Sequence, residues 1–458
     1  MTRVADIPTS RKSNFFRFRR DPLGFLVNAL PLGDVVSLRT SAFQPTFIVN
    51  SPDFVQEILV SQERSFRKGR SSDVLRRTVG DGLLTSEHGV HRGQKKYMMP
   101  VFYKERIQAY AEIVLEETER LMEKLPEGIP VPMHEAMMEL TLGIIARSLF
   151  NTELEDDKSA LADAVDVTIR HSAGTIFSPV ILPFSWPTPG NVRHKRAIRT
   201  LEDMIVEAIG KARARPEAYS DCMLGLLLDL RTEDGKPLPE REIRDQMMTM
   251  LLAGHETTAN ALVWAWVALE GAPASYARLR EEQDRIREKE ERSGRRLSAY
   301  DRYREMPYAK QVVQETLRLY PPAWAILRES EQEIELLGDR FPNNSSFLIS
   351  PYAIHRNDAV FGDASAFRPE RFDEGSTAWP RFAYFPFGGG ARGCIGSQFA
   401  MLEAVLILGT IASKFSFASA DGQGEAVPEP LVSLRVKNGR QMIPARRADA
   451  AKVPRSPY

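Results

Sequence analysis

The sequence predicts a mainly helical chain with a small β region, an α+β protein built as one large domain. Two observations carry that reading. Apolar residues recur at helical spacing through several long stretches. The longest runs from about Glu240 to Leu269, and roughly thirty residues at ~1.5 Å each reach ~45 Å, enough to cross a large domain. Alternating, strand-like runs are short by contrast, and sit near the N-terminus, between 323 and 352, and at the C-terminal end. No internal repeat is visible. The expected division is a leader over 1–30, a single domain over 31–445 and a tail over 446–458.

Composition narrows the function classes. The 458 residues are 43% apolar and 27% charged, which supports a large core in an ordinary water-exposed protein. Lys plus Arg and Asp plus Glu balance at 61 each, so no electrostatic footprint for nucleic acid exists. Two cysteines, Cys222 and Cys394, cannot build a disulfide framework and fit a reducing compartment. The longest uninterrupted apolar run, Ala261 to Leu269, has nine residues, against the ~20 that a membrane span needs. At the N-terminus Arg11, Lys12, Arg17, Arg19 and Arg20 interleave with Phe15, Phe16 and Phe18, a leader that is solvated or touches an anionic membrane surface. The expectation is a soluble, cytoplasmic protein without a transmembrane anchor.

In chain order, Val35 to Asn50 reads as a hairpin, and Ser51-Pro52-Asp53 starts a helix into Phe54, Val55, Ile58 and Leu59. Residues 66–86 are polar and glycine-dotted, a loop or short helices. Glu87 to Phe102 suits a helix with a cationic face of Arg92, Lys95 and Lys96; His88 and His91 stand three apart on it, a metal-ligand spacing that lacks a third ligand. Residues 105–125 and 134–150 carry helical periodicity, and 172–192 form a connection rich in Pro, Gly, Ser and Phe. The long helix contains Ala253-Gly254-His255-Glu256-Thr257-Thr258. Gly, Glu and two Thr inside an apolar helix are locally unfavourable, and such departures mark function; the structural alternative is a bent helix in which Thr257 bonds the carbonyl of Ala253. Residues 273–305 suit an exposed, ion-paired helix. Tyr308 to Tyr320 forms another helix ended by Pro321-Pro322, with Glu315 and Arg318 as i, i+3 neighbours. Ala323 to Arg328 and Ser346 to Tyr352 read as strands, with Asn343-Asn344 in the turn between, and Asn438-Gly439 signals a hairpin within Leu431 to Pro444.

The stretch Phe385-Pro-Phe-Gly-Gly-Gly-Ala-Arg-Gly-Cys394-Ile-Gly396 sets five glycines around a thiol, just before an apolar helical run from Phe399 to Ile411. A helix N-terminus lowers a thiol's pKa and favours thiolate. A lone cysteine is otherwise a small buried apolar side chain. Gly388-x-Gly390-x-x-Gly393 also fits a dinucleotide fingerprint, but Pro386 interrupts the strand that fingerprint requires and it assigns nothing to Phe387, Arg392 or Cys394.

Phe387-x-x-Gly390-x-Arg392-x-Cys394-x-Gly396 resembles the haem-binding signature of the cytochrome P-450 family, and Ala253-Gly-x-Glu-Thr-Thr258 resembles its oxygen-activating motif. Glu315-x-x-Arg318, then Phe367-Arg-Pro-Glu-Arg371-Phe372, precede the cysteine in the order the family uses, and weaker matches extend over nearly the whole chain. The resemblance implies the family's fold, with haem b between the long helix and the cysteine loop. It makes Cys394 the axial thiolate ligand, and Phe387, Gly390 and Gly396 part of the loop that cradles it. Arg392, Arg328, His91 and Lys95 would face the haem propionates, Lys95 standing where the family has an arginine, which keeps the charge and loses the planar fork. Ala253 would face iron and substrate, while Thr257 and Glu256 would serve O2 activation, Glu256 as a general acid. Glu315, Arg318 and Arg371 would form a buried structural triad.

The activity implied is insertion of one oxygen atom from O2 into a lipophilic small molecule by hydroxylation or epoxidation. Electrons would come from a ferredoxin or flavodoxin with its NAD(P)H reductase, since this chain has no room for a flavin or iron–sulfur module. Leu83, Leu84, Leu252, Trp324, Ile326 and Val432 would line the substrate pocket. A haem-thiolate peroxygenase or isomerase, or a haem-binding sensor, are the alternatives.

Overall fold

The computed structural model describes residues 4–7, 10–38, 44–151, 158–176, 178, 182–231, 235–375 and 379–447. The long helix is Glu240–Glu270, closed at Gly271. Met247, Leu251, Leu262, Trp264 and Trp266 are buried around its circumference, the pattern of a helix inside a core rather than on it. It packs most extensively on Met133–Phe150 and also meets Pro307–Leu319 and Ser397–Lys414. Trp264 stacks face to face on Tyr320 at 4.0 Å and donates Nε1–H to the Leu434 carbonyl at 3.2 Å, tying this central helix to two other parts of the chain. Lys158–Ile176 and Pro189–Ala214 pack on each other to one side. The connection expected over 172–192 is therefore shorter: helix continues to Ile176 and resumes at Pro189, behind the Thr188 cap.

The β region is small. Its main sheet has six strands: Val4–Asp6 runs parallel to Val35–Ser37, which pairs antiparallel with Thr46–Val49. Next come Ser346–Ile349 in parallel, Ile326–Ser330 antiparallel, and Phe66–Arg67 at the edge. Part of the segment set apart as a leader belongs to this body: Val4–Asp6 is a sheet strand, and Leu23, Phe25, Leu26 and Ala29 of the helix Pro22–Ala29 are buried. Packing begins well before residue 31. Of the tail, 448–458 lies outside the described residues.

Two local expectations change. Asn438 and Gly439 both have positive φ, 62° and 69°, as a tight hairpin turn demands. Yet the strands on either side join different sheets: Leu434–Val436 pairs with Pro428–Pro430, and Gln441–Arg446 with Phe415–Ser419 and Val131–Pro132. The second strand expected over 346–352 stops at Ile349, because Ser350 caps a short helix at Pro351.

Candidate active site

The cysteine loop is shaped mainly by its own packing. Gly388 and Gly390 have φ of +68° and +66°, which side chains rarely adopt. A Cβ on Gly390 would stand 2.0 Å from the Leu59 carbonyl oxygen, and one on Gly389 would stand 2.2 Å from the Phe382 ring. Gly389 and Gly390 thus admit protein neighbours. Cys394 N–H donates to the Phe387 carbonyl at 2.9 Å, closing the loop, and the Gly396 N–H donates to the sulfur. Helix begins at Ser397, three residues past the thiol. Burial dominates the sulfur's protonation and pushes the thiol up, against the Gly396 N–H and Lys95, so the helix end alone does not make a thiolate. Cys394 is nonetheless accessible, while Phe399, Leu402 and Val405 just beyond it are buried. A thiol both desolvated and accessible faces an interior space that protein does not fill.

Beside the loop lies a cluster of buried bases. Arg392 is ion-paired with Glu63 at 2.8 Å and Glu87 at 2.9 Å, and donates Nη2–H to the Phe66 carbonyl at 2.9 Å. Arg328 is 9% exposed; Nη1 donates to the carbonyl of its neighbour Leu327, and burial and Arg392 pull it down to about 10. Lys68 Nζ donates to the Leu83 and Leu84 carbonyls at 2.9 and 2.7 Å; burial pulls it down to about 7, with Glu87 working against the fall. His91 is pushed down to about 3 by burial and then by Lys68, Arg392, Lys95 and Arg328. Lys95 donates to the carbonyls of Ala391 at 2.8 Å and Gly393 at 3.0 Å, so it clamps the cysteine loop itself. Four bases, Lys68, Lys95, Arg328 and Arg392, stand against two carboxylates, Glu63 and Glu87. With Lys68 pulled to about 7 and so only partly charged at neutral pH, the cluster keeps more positive than negative charge, a site for anionic groups. His88 turns away to Glu331 at 3.2 Å, and no group of metal-binding side chains occurs among the described residues.

On the central helix Ala253, Gly254 and Thr257 are only half buried, while Leu251, Leu252, His255, Glu256 and Thr258 around them are buried. Positions i, i+1 and i+4 share one face, so one face of a core helix is only half covered in its middle, with Ile145 close against Gly254, where a Cβ would stand 2.8 Å from Ile145 Cδ1. Thr257 Oγ1 donates to the Ala253 carbonyl at 3.0 Å, the bond expected of a bent helix. Glu256 points elsewhere: Oε1 accepts from Ser433 Oγ at 2.7 Å and Arg435 Nε at 2.8 Å.

The three residues of the expected triad meet. Arg318 Nε and Nη2 fork onto Glu315 at 2.7 and 2.8 Å, and its other donors reach the carbonyls of His355, Ala364 and Ala366. Arg371 Nε donates to Glu315 Oε1 at 3.3 Å, and both Glu315 and Arg318 are fully buried. The expected pocket residues scatter. Ile326 lies by the cysteine loop, 3.8 Å from where a Gly388 Cβ would be, and Leu83 and Leu252 are buried in the main core. Val432 packs half-buried on that core, while Leu84 is 38% exposed. Trp324 belongs to the N-terminal core with Leu26, Val36, Ile48 and Leu348, its Nε1–H on the Leu431 carbonyl at 2.9 Å, because the chain enters its strand only at Ile326. That removes it from the pocket face. Lys68, Glu63, Glu87, Ser433 and Arg435 went unnoticed in the sequence. A charged residue between two buried apolar ones, Leu434-Arg435-Val436, was the available signal for the last.

The residues present fit haem: an accessible cysteine in a closed loop, a cluster of bases in excess beside it, and a half-covered face on the central helix. The family model for cytochrome P-450 matches residues 28–443. The chain belongs to the cytochrome P-450 family. It is 34% identical to cyclooctatin synthase of Streptomyces melanosporofaciens, over 91% of this chain and 89% of that protein. It is 30% identical to pentalenene oxygenase of Streptomyces avermitilis, over 87% and 88%. It is 31% identical to cyclooctat-9-en-7-ol 5-monooxygenase of Streptomyces melanosporofaciens, over 88% and 86%. This cytochrome P-450 is thus a bacterial-type, haem b-dependent monooxygenase with the family's helix-rich fold, and the peroxygenase, isomerase and sensor alternatives are not favoured. Monooxygenases of this family use O2, a lipophilic substrate and a redox partner. No helix among the described residues is long and apolar enough to cross a membrane.

Proposed function

We propose that Cys394 ligates the haem iron, and that the enzyme oxygenates a lipophilic ring compound with few polar groups. Bound haem supplies the iron at which O2 is activated and one oxygen atom passed to substrate. The half-covered face of Ala253 and Thr257, beside Gly254, carries this reading: it is apolar apart from one hydroxyl, and it interrupts the buried middle of the helix. Two of the relatives are named for a hydrocarbon-type substrate, an -ene and an -en-ol, which supports the substrate class.

This chain's residues divide the work. Phe387, Gly390 and Gly396 shape the loop, Gly396 N–H and Lys95 hold the cysteine in place, and Arg328, Arg392, His91 and Lys68 receive the propionate edge. Lys95 acts on the loop carbonyls and only through space on the propionates. Ala253 leaves room for substrate, with Leu83, Leu252, Ile326 and Val432 around it. Thr257 Oγ1 holds a proton near the reacting oxygen, and Glu256 feeds protons inward to it from solvent as a general acid. The catalytic domain takes in the packed residues before 31 and runs to 445, works in the cytoplasm, and takes electrons from a ferredoxin or flavodoxin with its NAD(P)H reductase, drawn to the exposed bases Arg92 and Lys96.

Purified protein titrated with lipophilic ring compounds is expected to show a substrate-induced spin-state shift, followed by a hydroxylated or epoxidised product with reductant and O2. Product from hydrogen peroxide alone at the same rate would make it a peroxygenase. Thr257→Ala is expected to cut product per electron about tenfold and release peroxide instead. Unchanged coupling removes Thr257 from the proton path.

A further inference from the structure

Arg435 reaches in two directions from the strand Leu434–Val436. Its Nε donates to Glu256 Oε1 at 2.8 Å, its Nη1 to Asp166 Oδ1 at 2.5 Å, and Nη2 is buried with no hydrogen-bond partner among the described residues. Glu256 Oε1 also accepts from Ser433 Oγ at 2.7 Å, and Ser433 Oγ accepts from Asn260 Nδ2 at 2.7 Å. Arg435 and Glu256 have side chains only 2% and 3% exposed, whereas Asp166, on the helix Lys158–Ile176, is 38% exposed and also takes Arg170 Nε at 2.8 Å. One guanidinium thus joins a buried carboxylate to a surface one.

Among the described residues, His134 and His255 are also within the reach of Arg435. Burial pushes both down to about 4, with Arg435 adding to the fall, so both are neutral at pH 7. Arg435 is the cation paired with Glu256 among the described residues. A buried carboxylate does not stay ionised without such a partner, and a buried guanidinium is equally costly if left alone. Here the arginine has two carboxylates. When Glu256 takes up a proton, Arg435 is still neutralised by Asp166; when Glu256 gives it up, Arg435 still holds the carboxylate. Neither protonation state strands a charge.

Resting on the reading of Glu256 as proton donor, we propose that Arg435 and Asp166 are positioning residues that make Glu256 reloadable, Asp166 supplying the counter-charge for Arg435 whenever Glu256 is protonated. The two residues then pull the acid in opposite directions. Arg435→Gln removes the cation, favours protonated Glu256 and moves the pH limb of product-per-electron coupling up by about two units. Asp166→Asn removes the counter-charge, favours ionised Glu256 and moves the limb down by about one unit. Arg435→Lys returns it toward wild type. At pH 7, infrared difference spectra of the Arg435→Gln holoenzyme are expected to gain a protonated-carboxyl band that is lost on adding Glu256→Gln, a readout independent of turnover.

Shifts of both variants in one direction, or of neither, overturn the proposal, since damage to packing alone has no reason to split them. If Arg435→Gln fails to give a normal reduced carbon-monoxide spectrum, Asp166→Asn at the exposed end decides by itself, and an unmoved limb there overturns it. Glu256→Gln separates the two levels. Unimpaired coupling in that variant takes down the proton-donor reading and this inference together, whereas impaired coupling with unmoved Asp166 and Arg435 variants takes down this inference alone.

Discussion

In the brace of Glu315, Arg318 and Arg371, all five donors of the buried Arg318 guanidinium find an acceptor, two on Glu315 and three on carbonyls. In the cluster of Lys68, Lys95, Arg328 and Arg392, four bases face two carboxylates, and among the described residues Arg328 donates to its neighbour's carbonyl alone. Both networks are buried, and they differ in what they lack. A network that closes on itself holds chain segments together: Arg318 and Arg371 gather carbonyls from His355 to Ala366 into one knot. A network left short of negative charge is unfavourable until an anion arrives, so it binds.

The largest break is Cys394→Ala. Turnover and the thiolate form of the reduced carbon-monoxide spectrum should vanish, while the apoprotein's urea midpoint stays in place, since the brace is untouched; a retained normal spectrum refutes Cys394 as ligand. Glu315→Gln should cost about 3–5 kcal/mol in urea unfolding of apoprotein, because it strands the buried Arg318 charge. A loss below ~1 kcal/mol would make the brace no stronger than a surface pair. Arg328→Leu should do the reverse: haem affinity falls about tenfold or more, as expected for one charge-assisted bond, while apoprotein stability holds or rises. Equal losses in both quantities would erase the contrast.

The smallest effect concerns pH. Burial pushes His355, beside the brace, and His91, among the bases, down to about 3. The unfolded chain takes up a proton near 6.5 that the folded protein refuses, so the stability each contributes is full above about 6.5 and is lost as pH falls from there toward 3, by at most about 1.4 kcal/mol per pH unit. His355→Gln should flatten this acid limb equally in apo- and holoprotein. For His91→Gln the flattening should be larger in apoprotein, because haem propionates ease the repulsion from neighbouring cations. Urea midpoints at pH 7, 6 and 5, with and without haem, check it; identical behaviour of the two histidines would merge the two regions.

Much of this was legible in the sequence where the chemistry is local. The cysteine loop, the Glu-Thr-Thr stretch and Glu315-x-x-Arg318 each put their residues within one loop or one helical turn, where spacing fixes geometry. Arg371 came with them through its own short motif. What escaped was long-range. Lys68 meets Leu83 and Leu84 across the helix Arg70–Val79, and Arg435 meets Asp166 and Glu256 from strand to helix, pairings that no period or spacing encodes. Trp324 departs for a different reason: the expected strand over Ala323 to Arg328 begins only at Ile326, which leaves the indole in the N-terminal core. Asn438-Gly439 announced its turn correctly and misled about the partner strands, because turn chemistry dictates backbone direction and not which sheet receives the chain.

The main sheet sets a timetable for synthesis. Thr46 pairs with Ser346, three hundred positions later, and Phe66 with Ser330. At ribosomal speeds of roughly 5–20 residues per second, the early strands wait on the order of tens of seconds with unpaired edges before their partners emerge. The anion site has the same arrangement, with Lys68 and Lys95 made early and Arg328 and Arg392 late, Arg392 just before Cys394. Haem therefore has nothing complete to bind until the ribosome has almost finished. Supply of cofactor and protection of the nascent edges by chaperones, more than the rate of any single folding step, should govern how much active enzyme a cell obtains.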